Sequence, residues 1–307
     1  MTPRKRTTQG QLTLSSVSAV VVNRDAGEAL LSCVSSLRRA GVGEIVVVDN
    51  ASSDGSLALL AAVDKDVILV PSGANLGYGR GMNLGAKRTS GEVLLICNPD
   101  LVVEKSTVQC LVDQLVAEPD VAVVGPLILG SDGGRYPSAR GFPALADAAG
   151  HALLGLVRPD NPFTRRYQLA DQPFDEVHDV GWVSGACMAI RRIAFTSVGG
   201  FDPGYFMYVE DLDICWRLHR AGWRVRYLPG ASVTHVGGTS SRRHPYRMLV
   251  AHHRSTLRFF ARSSAGRQRA LLPAVAVGLF ARLGLAWLLE AKKSLGSAHI
   301  RHVSDVE

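Results

Sequence analysis

The sequence predicts an α/β fold, with a mostly parallel sheet, helices on both of its faces, and a basic helical tail. The short runs at 17–23 and 44–49 are rich in valine and apolar throughout, as in strands that are covered on both faces. Segments with helical spacing alternate with such runs, which indicates parallel strands joined by crossover helices. After about residue 240 the composition changes, and residues 242–307 hold twelve Lys or Arg and only three acids.

The elements follow one another as βαβ units. VSAVVVN (17–23) and EIVVVD (44–49) are the first two predicted strands, and the segment between them predicts a helix that stops at Gly41. That helix places four apolar side chains at helical spacing: Leu30, Leu31, Val34 and Leu37. The pattern then repeats through SLALLAAV, VILV, RGMNLGAKR, VLLICN, a helix from about 104 to 117, and VAVVG.

We predict a disordered leader at 1–15, one large domain at 16–240, and a basic amphipathic helical tail at 241–307. The net charge of +7 resides in the tail, which carries +9 and leaves about −2 for the first 241 residues. A tail of this charge suits an anionic membrane surface, and no recognised motif accompanies it that would indicate nucleic-acid binding. Five scattered cysteines without a CxxC pair are typical of a reducing compartment.

The tail allows two interpretations. Its arginines recur at helical spacing with apolar residues between them (Arg247, Arg254, Arg258 and Arg262). Such a helix binds anionic headgroups at a membrane interface, or it packs on the large domain with its charges in solvent. The apolar segment 271–289 is interrupted by Arg282, so lying in the interface is favoured over spanning.

Polar clusters follow four of the predicted strands, at residues 23–25, 49–56, 75–83 and 98–100. Each cluster alone is compatible with ordinary turn chemistry. Together they predict a ligand site, because the carboxyl ends of parallel strands meet at one edge of the sheet. A dinucleotide-binding dehydrogenase is disfavoured, since the first strand–helix turn, NRDAGEAL, contains one glycine instead of GxGxxG.

The segment YFMYVEDLDICWR (205–217) places Glu210, Asp211 and Asp213 among aromatic and aliphatic residues. Carboxylates favour the first turn of a helix, which accounts for part of this pattern. Charges in apolar surroundings otherwise pair with another charge, bind a metal or take part in chemistry. The segment is therefore a candidate for catalytic carboxylates.

The ordered set of these motifs resembles the family-2 inverting glycosyltransferases of GT-A fold. The likeness is greatest to bacterial, mycobacterial-type rhamnosyltransferases that act on polyprenyl-diphosphate-linked N-acetylglucosamine. It covers most of residues 17–240 and is carried by VVNRD, IVVVDNASSDGS, NLGYGRGMN, LLICNPD, GWVSGACMAIRR, GGFDPGYFMYVEDLDICWR and VTHVGG.

The resemblance implies a nucleotide-sugar site along the sheet edge. Asp49 would accept hydrogen bonds from the nucleobase, and Asn50, Ser52 and Asp54 would shape that pocket. Other positions of this predicted site are Asn23, Asn75, Gly77, Asn83 and Asn98.

The resemblance also implies a metal site for Mg²⁺ or Mn²⁺. NPD at 98–100 takes the place of the family's DxD, so Asp100 would be the main carboxylate ligand, and His235 would complete the site. A hard divalent cation with oxygen ligands suits a diphosphate leaving group. A lone histidine at a strand end is also compatible with a purely structural role.

For the reaction, the resemblance points to Asp211 as the general base and to Glu210 as a residue that orients the acceptor or the base. Asp213 would cap the helix, or hold a backbone group or an arginine. Trp182 and Gly185 would lie beside the transferred sugar or the acceptor. Residues 130–178 receive no assignment.

The function implied is metal-dependent transfer of L-rhamnose from dTDP-L-rhamnose to a lipid-linked N-acetylglucosamine. The expected location is peripheral, on the cytoplasmic face of the plasma membrane. A galactofuranosyl- or hexosyltransferase using a UDP-sugar is the alternative with the same fold. A non-catalytic nucleotide-sugar-binding scaffold is the alternative from another class.

Overall fold

The computed structural model describes residues 12–143, 165, 174–236 and 245–304. The predicted leader lies mostly outside these residues, as does the predicted boundary at residue 240. Within the described part, one turn of 3₁₀-helix at Leu14–Ser16 leads directly into the first strand.

Twelve strands are present in the described ranges, and ten of them form one sheet. The other two, β8 and β10, pair with each other beside it. Their bounds are β1 Val17–Asn23, β2 Glu44–Asp49, β3 Ile68–Pro71, β4 Val93–Cys97, β5 Leu101–Val103, β6 Val121–Gly130, β7 Arg135–Tyr136, β8 Ala139–Arg140, β9 His178–Asp179, β10 Trp182–Val183, β11 Cys187–Arg191 and β12 Arg224–His235.

The main path of the sheet runs β3-β2-β1-β4-β11-β6-β12-β5. The first four strands are parallel, as predicted from their uniformly apolar sequences. Strand β11 then runs antiparallel to both of its neighbours, β4 and β6, so this half of the sheet is mixed. The GT-A fold predicted from the sequence is confirmed, and the antiparallel insertion of β11 is the feature that periodicity did not indicate.

Eight α-helices lie in the described ranges, and both faces of the sheet are covered. Leu30 and Leu37 pack into the core on one face, and Met82 and Phe201 pack into the core on the other. The helices are α1 Glu28–Arg39, α2 Ser56–Val63, α3 Tyr78–Ala86, α4 Thr107–Ala117, α5 Arg192–Ser197, α6 Glu210–Arg220, α7 Pro245–Ser263 and α8 Leu272–Ser304.

The tail helix α7 packs against the large domain instead of standing free in solvent. Phe259 and Phe260 are buried in the core cluster, and the Phe259 ring meets the Trp216 ring edge-on at 6.0 Å. Arg258 donates to Asp202 at 2.9 Å, and Arg262 pairs with the same carboxylate.

Helix α8 follows α7 and packs along it. Within the described residues, one helical segment, Gly266–Leu288, is long and apolar enough to cross a membrane, with a mean hydropathy of 1.9. Several large apolar side chains on it face solvent, among them Val277, Phe280 and Leu288.

Candidate active site

A cavity of about 1050 Å³ lies where the carboxyl edge of the sheet, helix α6 and the tail helix α7 meet. Its lining includes predicted site residues from six separate segments of the chain: Asn50, Asn75, Asn98, Asp100, Trp182, Gly185, Glu210, Asp211 and His235. The structure therefore brings together the predicted catalytic carboxylates, the predicted metal ligands and part of the predicted nucleotide-sugar site.

Asn50 shows how a residue at the end of a strand shapes one wall of the cavity. Its amide nitrogen donates to the Gly77 carbonyl at 3.1 Å, and its amide oxygen accepts from the Leu76 N–H at 3.2 Å. The loop before α3 is thereby tied to the end of β2. Asn75 stays at the cavity surface and accepts from the Gly77 N–H at 3.1 Å.

Four predicted nucleotide-sugar residues lie just behind the cavity lining and hold its loops. The Asp49 carboxylate accepts the Ser52 N–H at 3.2 Å, and buried Asn23 donates to Ser52 at 3.1 Å. Asp54 accepts the Gly27 N–H at 2.7 Å. Burial raises the pKa of the Asp54 carboxyl, but its hydrogen bonds outweigh burial and set the pKa below the ordinary value.

Asn83 and Gly77 also lie outside the cavity lining. The Asn83 side-chain amide makes two hydrogen bonds to the Phe201 backbone. Its nitrogen donates to the Phe201 carbonyl at 2.7 Å, and its oxygen accepts from the Phe201 N–H at 2.9 Å. Gly77 has φ +84°, and a Cβ there would lie 2.1 Å from the Phe206 carbonyl oxygen. Both residues hold loops in place, and neither is among the residues that line the cavity.

Asp100 and His235 form the predicted metal-binding pair. Asp100 Oδ1 lies 3.0 Å from His235 Nε2, and the Asn98 amide nitrogen lies 3.3 Å from the same ring atom. Two neighbouring ligands at right angles on Mg²⁺, each about 2.1 Å from it, are also about 3.0 Å apart. In the structure the contact between Asp100 and His235 is a hydrogen bond, and no cluster of three metal-binding side chains occurs in the described part of the chain. The oxygen and imidazole donors are nevertheless of the chemical type that divalent cations bind.

Glu210 and Asp211 begin helix α6 at the cavity. The two residues before them, Tyr208 and Val209, have φ of +66° and +70°, which is strained for a β-branched residue such as Val209. This backbone turn aims both carboxylates inward. Asp211 accepts the N–H groups of Gly185 at 2.9 Å and Leu212 at 2.8 Å, whereas Glu210 Oε2 is buried without a hydrogen-bond partner.

Burial raises the pKa of both carboxyl groups. For Glu210 the adjacent charge of Asp211 raises the pKa further. For Asp211 the two backbone donors and the charge of Arg140 oppose the effect of burial. Such a pair of interacting carboxyls facing a cavity, one buried and one half-buried, is typical of acid–base chemistry.

Asp213 points away from the cavity and is completely buried. It accepts from Arg217 at 2.7 Å and from the Tyr205 hydroxyl at 3.2 Å. The structure thus shows Asp213 holding an arginine, one of the structural roles predicted for it.

Gly185 and Trp182 lie beside the carboxylate pair. The Tyr78 hydroxyl donates to the Gly185 carbonyl at 2.5 Å, and the Trp182 indole donates to the Gly141 carbonyl at 3.1 Å. The Arg140 guanidinium stacks over the Trp182 ring at 5.0 Å. Tyr78 and Arg140 were not predicted, and Arg140 lies in the region for which the sequence carried no recognisable motif.

The tail supplies a wall of the cavity, which was also not predicted. Tyr246, Arg247, His252 and Arg254 of α7 line it, together with Trp287 of α8. The helical spacing of the arginines was visible in the sequence. The position of helix α7 at the cavity could not be predicted from the sequence, because it depends on contacts between distant parts of the chain.

Comparison with known proteins agrees with this architecture. The model of the glycosyl transferase family 2 matches residues 16–199, and that of glycosyl transferase family group 2 matches residues 160–287. The second match extends through the tail helix and into α8.

Two curated relatives are rhamnosyltransferases. The N-acetylglucosaminyl-diphospho-decaprenol L-rhamnosyltransferase of Mycobacterium tuberculosis is 40% identical over 239 residues, covering 74% of this chain and 78% of the relative. The rhamnosyltransferase WbbL of Escherichia coli is 29% identical over 201 residues, covering 62% of this chain and 72% of the relative.

Among solved structures, the mannosyltransferase PcManGT of Pyrobaculum calidifontis, in complex with GDP-Man and Mn²⁺, has a TM-score of 0.57. It is 17% identical, and the match covers 92% of this chain and 79% of that one, so it bears on the fold alone. The family match over more than half of the sequence, the relative at 40% identity and the shared fold lead to one conclusion: this chain belongs to glycosyl transferase family 2 and is a glycosyltransferase.

Proposed function

We propose that the protein catalyses metal-dependent, inverting transfer of L-rhamnose from dTDP-L-rhamnose to N-acetylglucosamine on a polyprenyl diphosphate. The observation that carries this proposal is the placement of Glu210 and Asp211 in the same cavity as the Asp100–His235 pair. A base and a diphosphate-binding site are the two things that this transfer needs within one enclosure.

The transfer is a displacement at the anomeric carbon. An acceptor hydroxyl oxygen forms a bond to that carbon while the bond to the donor phosphate oxygen breaks, and the nucleoside diphosphate leaves. Asp211 takes the hydroxyl proton, and the unpartnered Glu210 Oε2 is placed to orient the sugar hydroxyl groups. The surrounding apolar and aromatic residues exclude water, which favours transfer over hydrolysis.

Asp100 and His235 would hold the divalent cation. When bound, such a cation offsets the charge that develops on the leaving diphosphate. Their mixed oxygen and nitrogen donor set suits Mn²⁺ and is also compatible with Mg²⁺. The support is that the two side chains bring an oxygen and an imidazole donor to one place in the cavity.

Donor and acceptor are inferred from the M. tuberculosis relative, whose name specifies both rhamnose and a decaprenol-linked acceptor. The alternative within the fold is a UDP-sugar donor, with transfer of galactofuranose or another hexose. A non-catalytic scaffold is disfavoured, because such a protein has no need for two adjacent carboxylates that face the cavity.

The test is transfer by the purified protein from dTDP-rhamnose, and separately from UDP-galactofuranose, to an N-acetylglucosamine diphospho-lipid analogue. We expect rhamnose transfer that stops on adding EDTA and returns with Mg²⁺ or Mn²⁺. Transfer of galactofuranose instead of rhamnose would show that the donor is a UDP-sugar and not dTDP-L-rhamnose. Tight nucleotide binding without transfer from any sugar donor would favour the scaffold.

We further propose that the protein associates peripherally with the cytoplasmic face of the plasma membrane through α8. The exposed apolar side chains of this helix and the net positive charge of the tail support this location. Arg282 lies within the apolar segment and is partly buried against His253 of α7, with the two side chains 3.3 Å apart. This favours a helix lying in the interface over one that spans the membrane.

A further inference from the structure

The arginines of the tail helix fall into two groups. Arg258 and Arg262 are used in docking, since both pair with Asp202. Arg247 and Arg254 line the cavity instead, and neither has an ion pair or hydrogen bond within the described ranges. Seven residues are two helical turns less about 20°, so Arg247 and Arg254 share one side of α7.

The cavity contains two other arginines, and both are already occupied. Arg24 donates to the Asn50 carbonyl at 2.7 Å and pairs with Asp25. Arg140 stacks on Trp182 and donates to the Pro137 carbonyl at 3.0 Å. Arg247 and Arg254 are therefore the cavity's uncommitted cations in the described part of the chain, and they suit an anionic group of the substrate.

The position of α7 argues for the acceptor as the source of that anion. The nucleotide-sugar diphosphate is expected at Asp100 and His235, on the sheet edge. Helix α7 is instead fastened to the segment ahead of the carboxylate pair, where Ser255 donates to the Met207 carbonyl at 2.9 Å and the His252 ring meets the Tyr208 ring at 5.7 Å.

The same helix connects the cavity to the apolar helix α8. The Tyr246 ring lies 5.1 Å from the Trp287 ring, and both line the cavity. Close to Trp287, α8 exposes Phe280 and Leu288. A substrate whose sugar reaches Asp211 thus meets two arginines and then an apolar surface, which is the order of parts in a sugar diphospho-lipid.

We propose that Arg247 and Arg254 bind the diphosphate of the lipid-linked acceptor. The inference rests on the proposed function for its acceptor class, but it does not depend on which sugar is transferred. The two residues are separated by a rise of about 10.5 Å along the helix axis, a span that long arginine side chains bridge to reach one diphosphate. Charge-assisted hydrogen bonds between guanidinium groups and phosphate oxygens are strong.

The experiment measures binding by calorimetry with the full chain and two soluble probes. One probe is N-acetylglucosamine diphosphate with a short alkyl chain, and the other carries the alkyl chain directly on the sugar. We expect tighter binding of the diphosphate probe, and Arg247→Gln and Arg254→Gln each to weaken that binding about 10-fold. In both variants, binding of the probe without the diphosphate and binding of dTDP should stay unchanged.

Arg267→Gln is the matched control, because Arg267 is an exposed arginine of the same tail that does not line the cavity. It should leave the affinity for the diphosphate probe unchanged. An equal loss in this control, or equal binding of both probes by the unmodified protein, would overturn the proposal. Weaker dTDP binding in the two variants would assign the arginines to the donor instead.

A further arm separates the acceptor from membrane headgroups. Arg247→Gln and Arg254→Gln should lower binding to phosphatidylglycerol vesicles no more than Arg267→Gln does, since each removes one charge from the tail. Loss of vesicle binding with unchanged probe binding would overturn the proposal in favour of headgroups. If the probe result holds while no rhamnose is transferred, the donor assignment fails and the inference about the acceptor diphosphate stands.

Discussion

At the scale of single residues, the proposed function assigns the general base to Asp211, and this assignment can be tested directly. Asp211→Asn keeps the shape of the carboxyl group and removes the base, so we expect kcat to fall roughly 10²–10⁴-fold. The KM for the donor should change little, because the proposed function assigns the donor diphosphate to Asp100 and His235 and not to Asp211. Initial rates at varied donor and acceptor concentrations measure both quantities.

Asp213→Asn is the control for this substitution, two residues along the same helix. Asp213 is completely buried and paired with Arg217 at 2.7 Å. Its loss should lower the free energy of unfolding by roughly 3 kcal/mol and leave the chemistry of the folded protein largely intact. Equal kcat values for Asp211→Asn and the unmodified protein would remove Asp211 from the role of base.

Glu210 predicts a pH dependence of stability. Burial and the charge of Asp211 raise the pKa of Glu210 from the ordinary 4.5 to about 8, so the folded state holds its proton longer than the unfolded state does. The free energy of unfolding therefore falls as pH rises through this window, by up to about 1.4 kcal/mol per pH unit. Glu210→Gln removes that slope.

Thermal unfolding of both proteins across this pH window checks the prediction. The melting temperature of Glu210→Gln, measured relative to the unmodified protein, should rise with pH and level off once Glu210 is ionised in the folded state. Parallel melting profiles for the two proteins would show that Glu210 has an ordinary pKa in the folded state.

Candidate residues could be named where the local sequence is unusual. The charges within an aromatic run marked residues 205–217 as a candidate for catalytic carboxylates, and the family resemblance then singled out Glu210 and Asp211 over Asp213. Asn83 stands in an equally suggestive motif, yet its amide is used by Phe201, 118 residues further along the chain. A pairing over such a distance leaves no trace in the local sequence, so the contribution of Asn83 to loop geometry could not be predicted.

At the scale of elements, the approach of the loop before α3 to the segment before α6 holds two walls of the cavity together. Tyr78 N–H donates to the Phe206 carbonyl at 2.9 Å, directly beside Gly77. Gly77→Ala places a Cβ against that carbonyl and adds the strain of a left-handed backbone. We expect a loss of roughly 2–4 kcal/mol in the free energy of unfolding.

Gly73→Ala is the matched control, because Gly73 also has positive φ, +75°, but has open space where the Cβ would lie. It should lose only the conformational part, about 1 kcal/mol. Urea unfolding of the two variants measures the difference. If they are equally stable, the close approach to Phe206 contributes nothing beyond backbone conformation.

The elements themselves were largely predictable. Strands β1 and β2 match their predicted bounds because a run of valines buried on both sides has few alternatives to a central strand. Helix α4 begins at Thr107 instead of 104, within the usual uncertainty of helix ends. The antiparallel direction of β11 was not predictable, since strand direction depends on the path of the chain between strands.

At the scale of the whole molecule, the exposed apolar surface of α8 predicts membrane binding. Val277 and Phe280 are 69% and 70% exposed. Replacing both by Asp should weaken binding to anionic vesicles at least 10-fold, because two apolar side chains no longer enter the interface and two negative charges face the lipid. Co-sedimentation with vesicles measures this change.

Ile193→Asp serves as the control, since Ile193 is also an exposed apolar residue, 53% accessible, but lies on the large domain. Its vesicle binding should match that of the unmodified protein, as should the activity of both variants toward a short soluble acceptor. Unchanged vesicle binding after the double replacement would place the membrane contact elsewhere or remove it.

The tail wall of the cavity has a consequence for biosynthesis. The sheet and the carboxylate pair are complete by residue 235, whereas the wall carrying Arg247, Arg254 and Trp287 comes from sequence beyond it. During translation, the sheet and the carboxylate pair are therefore synthesised before the tail wall of the cavity. Phe259 and Phe260, which complete the core cluster on one face of the sheet, also come from this stretch. A chain that terminates before it therefore lacks both part of its core and one wall of the cavity.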